Sequence, residues 1–256
     1  METLGDIVAR DRRSDDPAVV APRERRRYDY HRFCTTAWKT GNFFRRIGVH
    51  DDAVVAVADD PEPEALLALF GAALLGAGTR FVPRSDADAA DARVVVAPGE
   101  SVGDYDLSAG GQRVCYGGPP DDPSVHHFER DVWSENPSFP RTAIDPESVA
   151  LVAVGDGDER DSVRGNGDAP GLSHADLLAS ARRVADNWGL EPDDEVAVRA
   201  SLAAPGTVVA GVLAPLLAGA AVLLPDDEAT GDFAVASDDA PEAESAVVRP
   251  ADVRLD

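Results

Sequence analysis

The sequence is nearly devoid of lysine: Lys39 is the only lysine among its 24 basic residues, and the others are arginine. Acidic residues number 47, which gives a formal net charge of −23 at pH 7. Such a surface repels the phosphates of nucleic acids and anionic lipids, so we expect neither nucleic acid nor a membrane as a partner. The acids are spread along the whole chain. This pattern favours a protein of a salt-rich cytoplasm, where cations screen the repulsion, over an acidic protein that binds a basic partner.

Cysteines and long hydrophobic runs are also scarce. Cys34 and Cys115 are far apart and belong to no ligand or redox motif, which is typical of a reducing cytosol. The longest uncharged segment, 202–225, is interrupted by Pro205 and Pro215, and it predicts a buried helix followed by a strand instead of a membrane span. The N-terminus becomes polar within a few residues, so we expect no secretory leader. Hydrophobic residues still make up 44% of the chain, which predicts a globular protein with a real core.

An internal repeat organises the chain, with a first copy at 36–83 and a second at 175–225. Each copy has a helix ending in glycine, a pair of aspartates, a strand, a second helix and a second strand that stops at proline. The expected helices are 36–46, 63–75, 175–188 and 206–217, and the expected strands are 53–58, 79–82, 195–198 and 220–224. Parallel strands need a crossover helix between them, so each copy predicts a β-α-β unit.

Further strands are expected outside the repeat, at 93–97, 112–116 and 149–154. The segment 226–256 is acidic and poor in large apolar residues, so we expect an acidic C-terminal tail with one strand at 245–249. The predicted fold class is therefore α/β, with open, mostly parallel sheets flanked by helices and built from two related β-α-β units. Residues 1–225 would form this α/β domain, which the repeat divides into two subdomains.

The order of the repeated motifs resembles the N-terminal part of AMP-forming acyl-CoA synthetases and other adenylate-forming enzymes. The positions that carry the resemblance in the first half are Tyr30, Gly48, Val49, Val55, Val57, Leu75, Gly76, Ala77 and Pro83. In the second half, 145–154 resembles the strand before the family's ATP loop, 172–174 the opening of the next helix, and 194–225 the following β-α-β unit. The resemblance covers about 1–225. It implies an acid–thiol ligase scaffold, with ATP, AMP and CoA as the ligands of the family.

The segment that should bind ATP has lost the chemistry of the family loop, which resembles T-S-G-[ST]-T-G-x-P-K-G. Glycines there let backbone N–H groups approach the phosphates, hydroxyls donate hydrogen bonds, and a lysine supplies positive charge. Here 155–171 is rich in glycine and has no lysine, and four acids fall within 156–161. The remnant of the cofactor site predicted from the resemblance is Gly155, Gly157, Gly171, Ser173 and His174. The alternatives are a cation site using Asp156, Asp158 and Asp161, and a solvated loop left after function was lost, which we favour.

Other candidate residues have simpler interpretations. Ser173 and His174 are adjacent and could act as a nucleophile and a base, but Ser173 is favoured as a helix N-cap, with Asp176 near the positive helix end. His126-His127 is favoured as a surface loop, because no cysteine or spaced carboxylate accompanies the pair. The arginines at 23 and 25–27 either balance neighbouring acids or form a docking patch for an acidic partner. The sequence therefore predicts no catalytic residue and no metal site.

The family's later motifs do not occur within these 256 residues, and 200–207 has neither the aromatic residue nor the histidine of the acyl site. Three hypotheses follow. The favoured one is a non-catalytic relative with a binding or regulatory role, which pairs with a full-length ligase. The second is one half of a split ligase, whose complementary subunit supplies the missing residues. The third is a binding module for a nucleotide or an acyl-CoA.

Overall fold

The computed structural model describes residues 1–84, 88–140, 142–153, 171–238, 244 and 246–255. Its strands are β1 Pro17–Ala21, β2 Arg26–Asp29, β3 Val54–Ala58, β4 Gly78–Val82, β5 Val94–Pro98, β6 Gln112–Tyr116, β7 His126–His127, β8 Val149–Val152, β9 Gly171–Ser173, β10 Glu195–Arg199, β11 Ala221–Leu223, β12 Phe233–Ala236 and β13 Ala246–Val248. Its helices are α1 Tyr30–Arg46, α2 Pro63–Ala73, α3 Phe128–Trp133, α4 His174–Trp188, α5 Pro205–Thr207 and α6 Ala214–Ala218, with a π-helical segment Val208–Leu213 between the last two. Short 3-10 turns occupy Leu4–Val8, Arg10–Arg12 and Pro250–Asp252.

The strands form two sheets. The seven-stranded sheet has the order β7-β6-β5-β3-β4-β8-β9, and the six-stranded sheet has the order β13-β12-β10-β11-β1-β2. All neighbouring strands are parallel except the hairpins β1-β2 and β8-β9. The predicted α/β class, with mostly parallel sheets flanked by helices, is confirmed. In the described residues no helix combines the length and the apolar character needed to cross a membrane.

The internal repeat corresponds to the two sheets. The first copy supplies β3-α2-β4 to the seven-stranded sheet, and the second supplies β10, β11 and the intervening helix to the six-stranded sheet. The order β4-β3-β5-β6 of one sheet matches the order β11-β10-β12-β13 of the other. The hairpins, however, are exchanged. β1-β2 precedes the first copy in the chain but pairs with β11, and β8-β9 precedes the second copy but pairs with β4. Each unit therefore completes the sheet of the other.

The long helices begin and end where local chemistry requires. Asp29 caps α1 by accepting a hydrogen bond from the Arg32 backbone N–H at 2.6 Å, so the helix starts six residues earlier than the repeat predicted. It ends just before Gly48, which has a φ of 90° that a residue with a Cβ rarely adopts. The next helix, α2, is buried at every position and packs against α1. An apolar helix without a polar face is stable only in such an interior position.

The predicted helix 206–217 is present but irregular. It runs from Pro205 to Ala218 and changes to π-helical geometry over Val208–Leu213. Pro215 lies just after this change and has no backbone N–H with which to close an α-helical turn. Periodicity alone predicts an apolar helix here but not its widened turn, because that turn depends on one missing donor.

The described residues of the expected acidic tail, 226–256, contain two paired strands and not the single strand that was predicted. β12 pairs with β10 in the six-stranded sheet, and β13 pairs with β12. The expected strand at 245–249 corresponds to β13, whereas β12 was missed. Its Phe-Ala-Val-Ala sequence is apolar throughout, which suits a strand covered on both faces, but it stands among so many acids that the apolar signal is weak.

The N-terminal residues belong to the core, although their sequence is mostly polar. Leu4, Ile7 and Val8 are fully buried in 3-10 turns that lie between the two units. The Trp38 indole N–H donates to the Val8 carbonyl at 2.9 Å. The Leu4 N–H donates to His174 Nδ1 at 3.2 Å, so this segment reaches the candidate site directly.

Candidate functional site

The ATP-loop position lies at the carboxyl edge of the seven-stranded sheet. β8 runs parallel to β4, so the chain leaves this edge after Val152, and it returns along β9 at Gly171. The intervening segment, 154–170, lies outside the described residues. It contains Gly155, Gly157 and the three aspartates of the alternative cation site. Gly171 is exposed, and a Cβ there would come within 2.5 Å of the Val149 side chain. Close packing in the hairpin is therefore one reason for a glycine at this position.

Ser173 is the N-cap of α4, as predicted. Its hydroxyl donates to Asp176 Oδ2 at 2.7 Å and accepts from the Asp176 backbone N–H at 3.1 Å. The same carboxylate accepts from the Ser173 backbone N–H at 3.3 Å, which completes a capping box. The donor of the hydroxyl and one of its acceptor positions are therefore engaged in the start of the helix.

His174 is fully buried one residue further on. Its Nδ1 accepts the Leu4 N–H, and its Nε2 has no hydrogen-bond partner among the described residues. Burial lowers the pKa of His174 to about 4, because an imidazolium would lose its hydration. The ring is therefore neutral at pH 7, with its proton on Nε2. A neutral, enclosed imidazole supplies no positive charge to a phosphate group.

The segment at the acyl-site position, 200–207, is held by an aspartate from the other sheet. The Ser201 hydroxyl donates to Asp59 Oδ2 at 2.6 Å, and the Leu202 N–H donates to Asp59 Oδ1 at 2.7 Å. Asp59 follows β3 directly, and Ser201 lies just beyond β10, so this contact joins the carboxyl edges of the two sheets. Sequence reasoning missed Asp59, since its partner lies more than a hundred positions away.

The histidine pair does not lie in a surface loop, so that expectation is wrong. His126 and His127 form β7 at the edge of the seven-stranded sheet, because their backbone pairs with β6. His126 Nδ1 lies 3.5 Å from Asp131, and His127 Nε2 lies 3.0 Å from Glu129. Neighbouring strand residues point to opposite faces, so the two rings cannot share one ion.

Within the described ranges, the residues whose ligand atoms come close enough to hold a metal are His50, Asp51 and Asp52, with those atoms within 4.8 Å of one another. All three side chains are exposed at the turn before β3. Adjacent exposed acids are common without a metal, so we assign no metal site to these three residues.

No protein-family model and no curated protein matches the sequence. Solved structures do match the fold. An anthranilate CoA ligase, AuaEII, solved with anthranoyl-AMP, has a TM-score of 0.71 at 18% identity, over 87% of this chain and 45% of the ligase. A benzoate CoA ligase from Burkholderia xenovorans LB400 also has a TM-score of 0.71 at 18% identity, over 91% of this chain and 50% of the ligase.

A long-chain-fatty-acid-CoA ligase from Archaeoglobus fulgidus, FadD1, has a TM-score of 0.65 at 16% identity, over 86% of this chain and 46% of the ligase. At such identities the likeness concerns the fold. The expected resemblance is confirmed at that level. The chain has the fold of adenylate-forming acyl- and aryl-CoA ligases and spans about half of the length of the ligases it matches.

Proposed function

We propose that this chain is a non-catalytic relative of the adenylate-forming ligases and acts by binding or regulation. The observation that carries the proposal is the state of Ser173 and His174 beside the ATP-loop position. The serine hydroxyl is engaged in a capping box, and the imidazole is buried and neutral. Neither group is available to bind a triphosphate.

The charge of the loop sequence supports the same proposal. Phosphate binding relies on cations and charge-assisted hydrogen bonds, but 155–171 has no lysine and a run of acids. Carboxylates next to a triphosphate repel it, although salt weakens the effect. At the acyl-site position, the Ser201 hydroxyl and the Leu202 backbone N–H both donate hydrogen bonds to Asp59, so neither is free to bind a ligand.

The test is pyrophosphate release from ATP with a panel of acids: benzoate, anthranilate and fatty acids of several lengths. We assign the protein to a salt-rich cytosol on account of its 47 acidic residues, so the assay belongs in concentrated potassium chloride. The expected result is no release above the blank without acid, while the benzoate CoA ligase in its own buffer serves as positive control. Turnover that rises with chain concentration and depends on the acid would refute the proposal.

A second candidate is one half of a split ligase. It is favoured by the coverage, since the chain matches 45% of the anthranilate CoA ligase and 50% of the benzoate CoA ligase. The complementary subunit would then carry the motifs that bind adenine and ribose in the family, together with its catalytic lysine. Acid-dependent pyrophosphate release that appears only when the two chains are mixed, and co-purification of the pair, would establish this function in place of the first.

Calorimetry separates a nucleotide or acyl-CoA binding module from a purely regulatory role. ATP, AMP and CoA are titrated separately into the chain in the same salt. Saturable heat with one of them, without turnover, would identify that module. Regulation of a full-length ligase would instead show as a change in the ligase rate when this chain is added.

A further inference from the structure

The positive charge of the chain is concentrated in one segment. Residues 23–46 contain eight of the 24 basic residues and only two of the 47 acidic residues. This segment comprises the β1-β2 turn, β2 and α1. Over the rest of the chain acids greatly outnumber bases, so most cations there have carboxylates close at hand. The local excess in 23–46 is therefore a surface of opposite charge to the remainder of the protein.

Three of these cations form a row along one face of α1. Arg32, Lys39 and Arg46 are seven residues apart, which is close to two helical turns, and this basic row is about 20 Å long. Arg46 is paired with Glu135 at 2.7 Å. Arg32 and Lys39 form no ion pair with a described residue, although the chain has about twice as many acids as bases. Two positive charges of the row are therefore available to a partner.

An exposed tryptophan lies beside the basic row. Trp133 ends α3 and is 64% exposed, more than any other large apolar side chain among the described residues. The Lys39 ammonium lies 5.4 Å from the centre of the indole ring, and the Arg32 guanidinium lies 6.0 Å from it. Lys39 also donates to the Trp133 carbonyl at 2.8 Å, which fixes α3 to α1. Two cations without a carboxylate partner therefore converge on one exposed aromatic ring.

A cavity of about 310 Å³ opens next to this ring. The apolar part of its lining comes from α2 and α3, at Leu67, Phe128, Val132 and Trp133. Both carboxylates of the lining already have partners: Arg26 donates to Glu64 at 2.9 Å, and Glu129 accepts from the Gly117 N–H at 2.8 Å. Arg32, in the same lining, has no carboxylate partner among the described residues. The volume is at the lower end of ligand pockets and is enough for one apolar side chain.

We propose that the basic row and Trp133 form a docking surface for an acidic segment of another protein. Carboxylates of that segment pair with Arg32 and Lys39, and one apolar side chain covers Trp133 and enters the cavity beside it. Tryptophan and arginine are the residues that contribute most at the centres of protein interfaces. The two cations are about 10 Å apart along the helix axis, so a chain with several carboxylates suits them better than one small acid.

Other occupants fit this surface less well. Binding of nucleic acid depends on phosphate contacts that salt weakens steeply, and a net charge of −23 repels a polyanion. A short acidic segment carries fewer charges, and burial of Trp133 adds a contribution that salt does not screen. A second copy of this chain related by a twofold axis would bring two basic rows together. The surface shares no residue with the ATP-loop position, so the proposal holds whether or not the chain forms adenylates.

The test is a fluorescence titration of the full chain in about 1 M potassium chloride, where only charges within about 3 Å of each other escape screening. The probe is a labelled helical peptide with glutamate at every seventh position, leucine between the glutamates, and alanine or serine elsewhere. We expect saturable binding of one peptide per chain. Trp133→Ala should weaken it about thirtyfold, as for an aromatic residue at an interface centre. Arg32→Gln and Lys39→Gln should each weaken it about threefold, as for exposed ion pairs.

Arg45→Gln is the matched control, because Arg45 is exposed on the same helix but lies outside the basic row. It removes the same charge and should leave the affinity unchanged. A second peptide with glutamine in place of glutamate should bind about tenfold more weakly. Equal weakening by Arg45→Gln, equal binding of the two peptides, or the absence of saturable binding would overturn the proposal.

Two further measurements distinguish the other occupants. Self-association in sedimentation velocity that Trp133→Ala abolishes would show that a second copy covers this surface. Single-stranded DNA that binds more tightly than the acidic peptide, and is weakened by the same variants, would show a nucleic-acid site. Either result overturns the proposal. Urea unfolding verifies that the variants are folded, which is expected because the side chains of Arg32 and Trp133 are exposed.

Discussion

Lowering the pH should destabilise the fold through His174. The contribution of this residue to the free energy of unfolding can be measured separately from that of the other titratable groups. In the folded chain the pKa of His174 is about 4, against 6.5 for an ordinary histidine. Between these values the unfolded chain binds a proton that the folded chain excludes. The free energy of unfolding therefore falls as the pH decreases from above 6.5 towards 4, and the loss is complete below 4. At about 1.4 kcal/mol per pH unit, it amounts to roughly 3 kcal/mol.

The assay is urea unfolding at constant potassium chloride and several pH values from 7.5 to 4, followed by tryptophan fluorescence. His174→Gln is the comparison, since its amide oxygen can still accept the Leu4 N–H. The many carboxylates titrate in both proteins, so the difference between the two stabilities isolates the histidine. We expect the variant to gain about 3 kcal/mol relative to the parent between pH 7 and pH 4. A difference that stays flat across this range would refute the burial argument.

Two further predictions concern contacts that hold the fold. Glu244→Ala should cost about 3–5 kcal/mol in urea unfolding, because it leaves the nearly buried Arg199 without its carboxylate, whereas Glu100→Ala at an exposed pair should cost about 0–1 kcal/mol. Equal losses in these two variants would contradict the role of burial. Ser173→Ala should cost about 1 kcal/mol through loss of the α4 cap, and Ser173→Asp should retain most of the stability because aspartate also caps helices. If both Ser173 variants are as stable as the parent, the hydroxyl has no structural role.

Local patterns in the sequence identify the regular elements well. The expected strand 112–116 coincides with β6, and the expected helix 63–75 differs from α2 only at its end. These elements depend on side chains that are close in sequence, such as the apolar run of α2 and the glycine after each helix. The repeat makes the predicted order of helices and strands more reliable, because two separate segments indicate the same order.

Long-range contacts account for what the sequence does not reveal. Leu4, Ile7 and Val8 have helical spacing, but they cover only one turn among polar residues, and their burial depends on surfaces formed far along the chain. Asp59 looks like any acid after a strand until Ser201 is placed beside it. At the candidate site, the N-cap role of Ser173 could be predicted from its position before a helix. The neutral state of His174 could not, since it results from packing against the N-terminus.

The exchange of hairpins sets an order for folding during synthesis. β8 pairs with β4, and every strand of the seven-stranded sheet falls within the stretch of chain from β3 to β9. The seven-stranded sheet can therefore assemble once β9 has left the ribosome. β1, in contrast, pairs with β11, and Val19 meets Val222 more than two hundred positions later. The first hairpin to be made is therefore among the last to be placed, and such distant pairing is slow. Until then its edge is open, and the charged Arg26 and Arg27 of β2 are the kind of residues that keep a waiting edge from pairing with another chain.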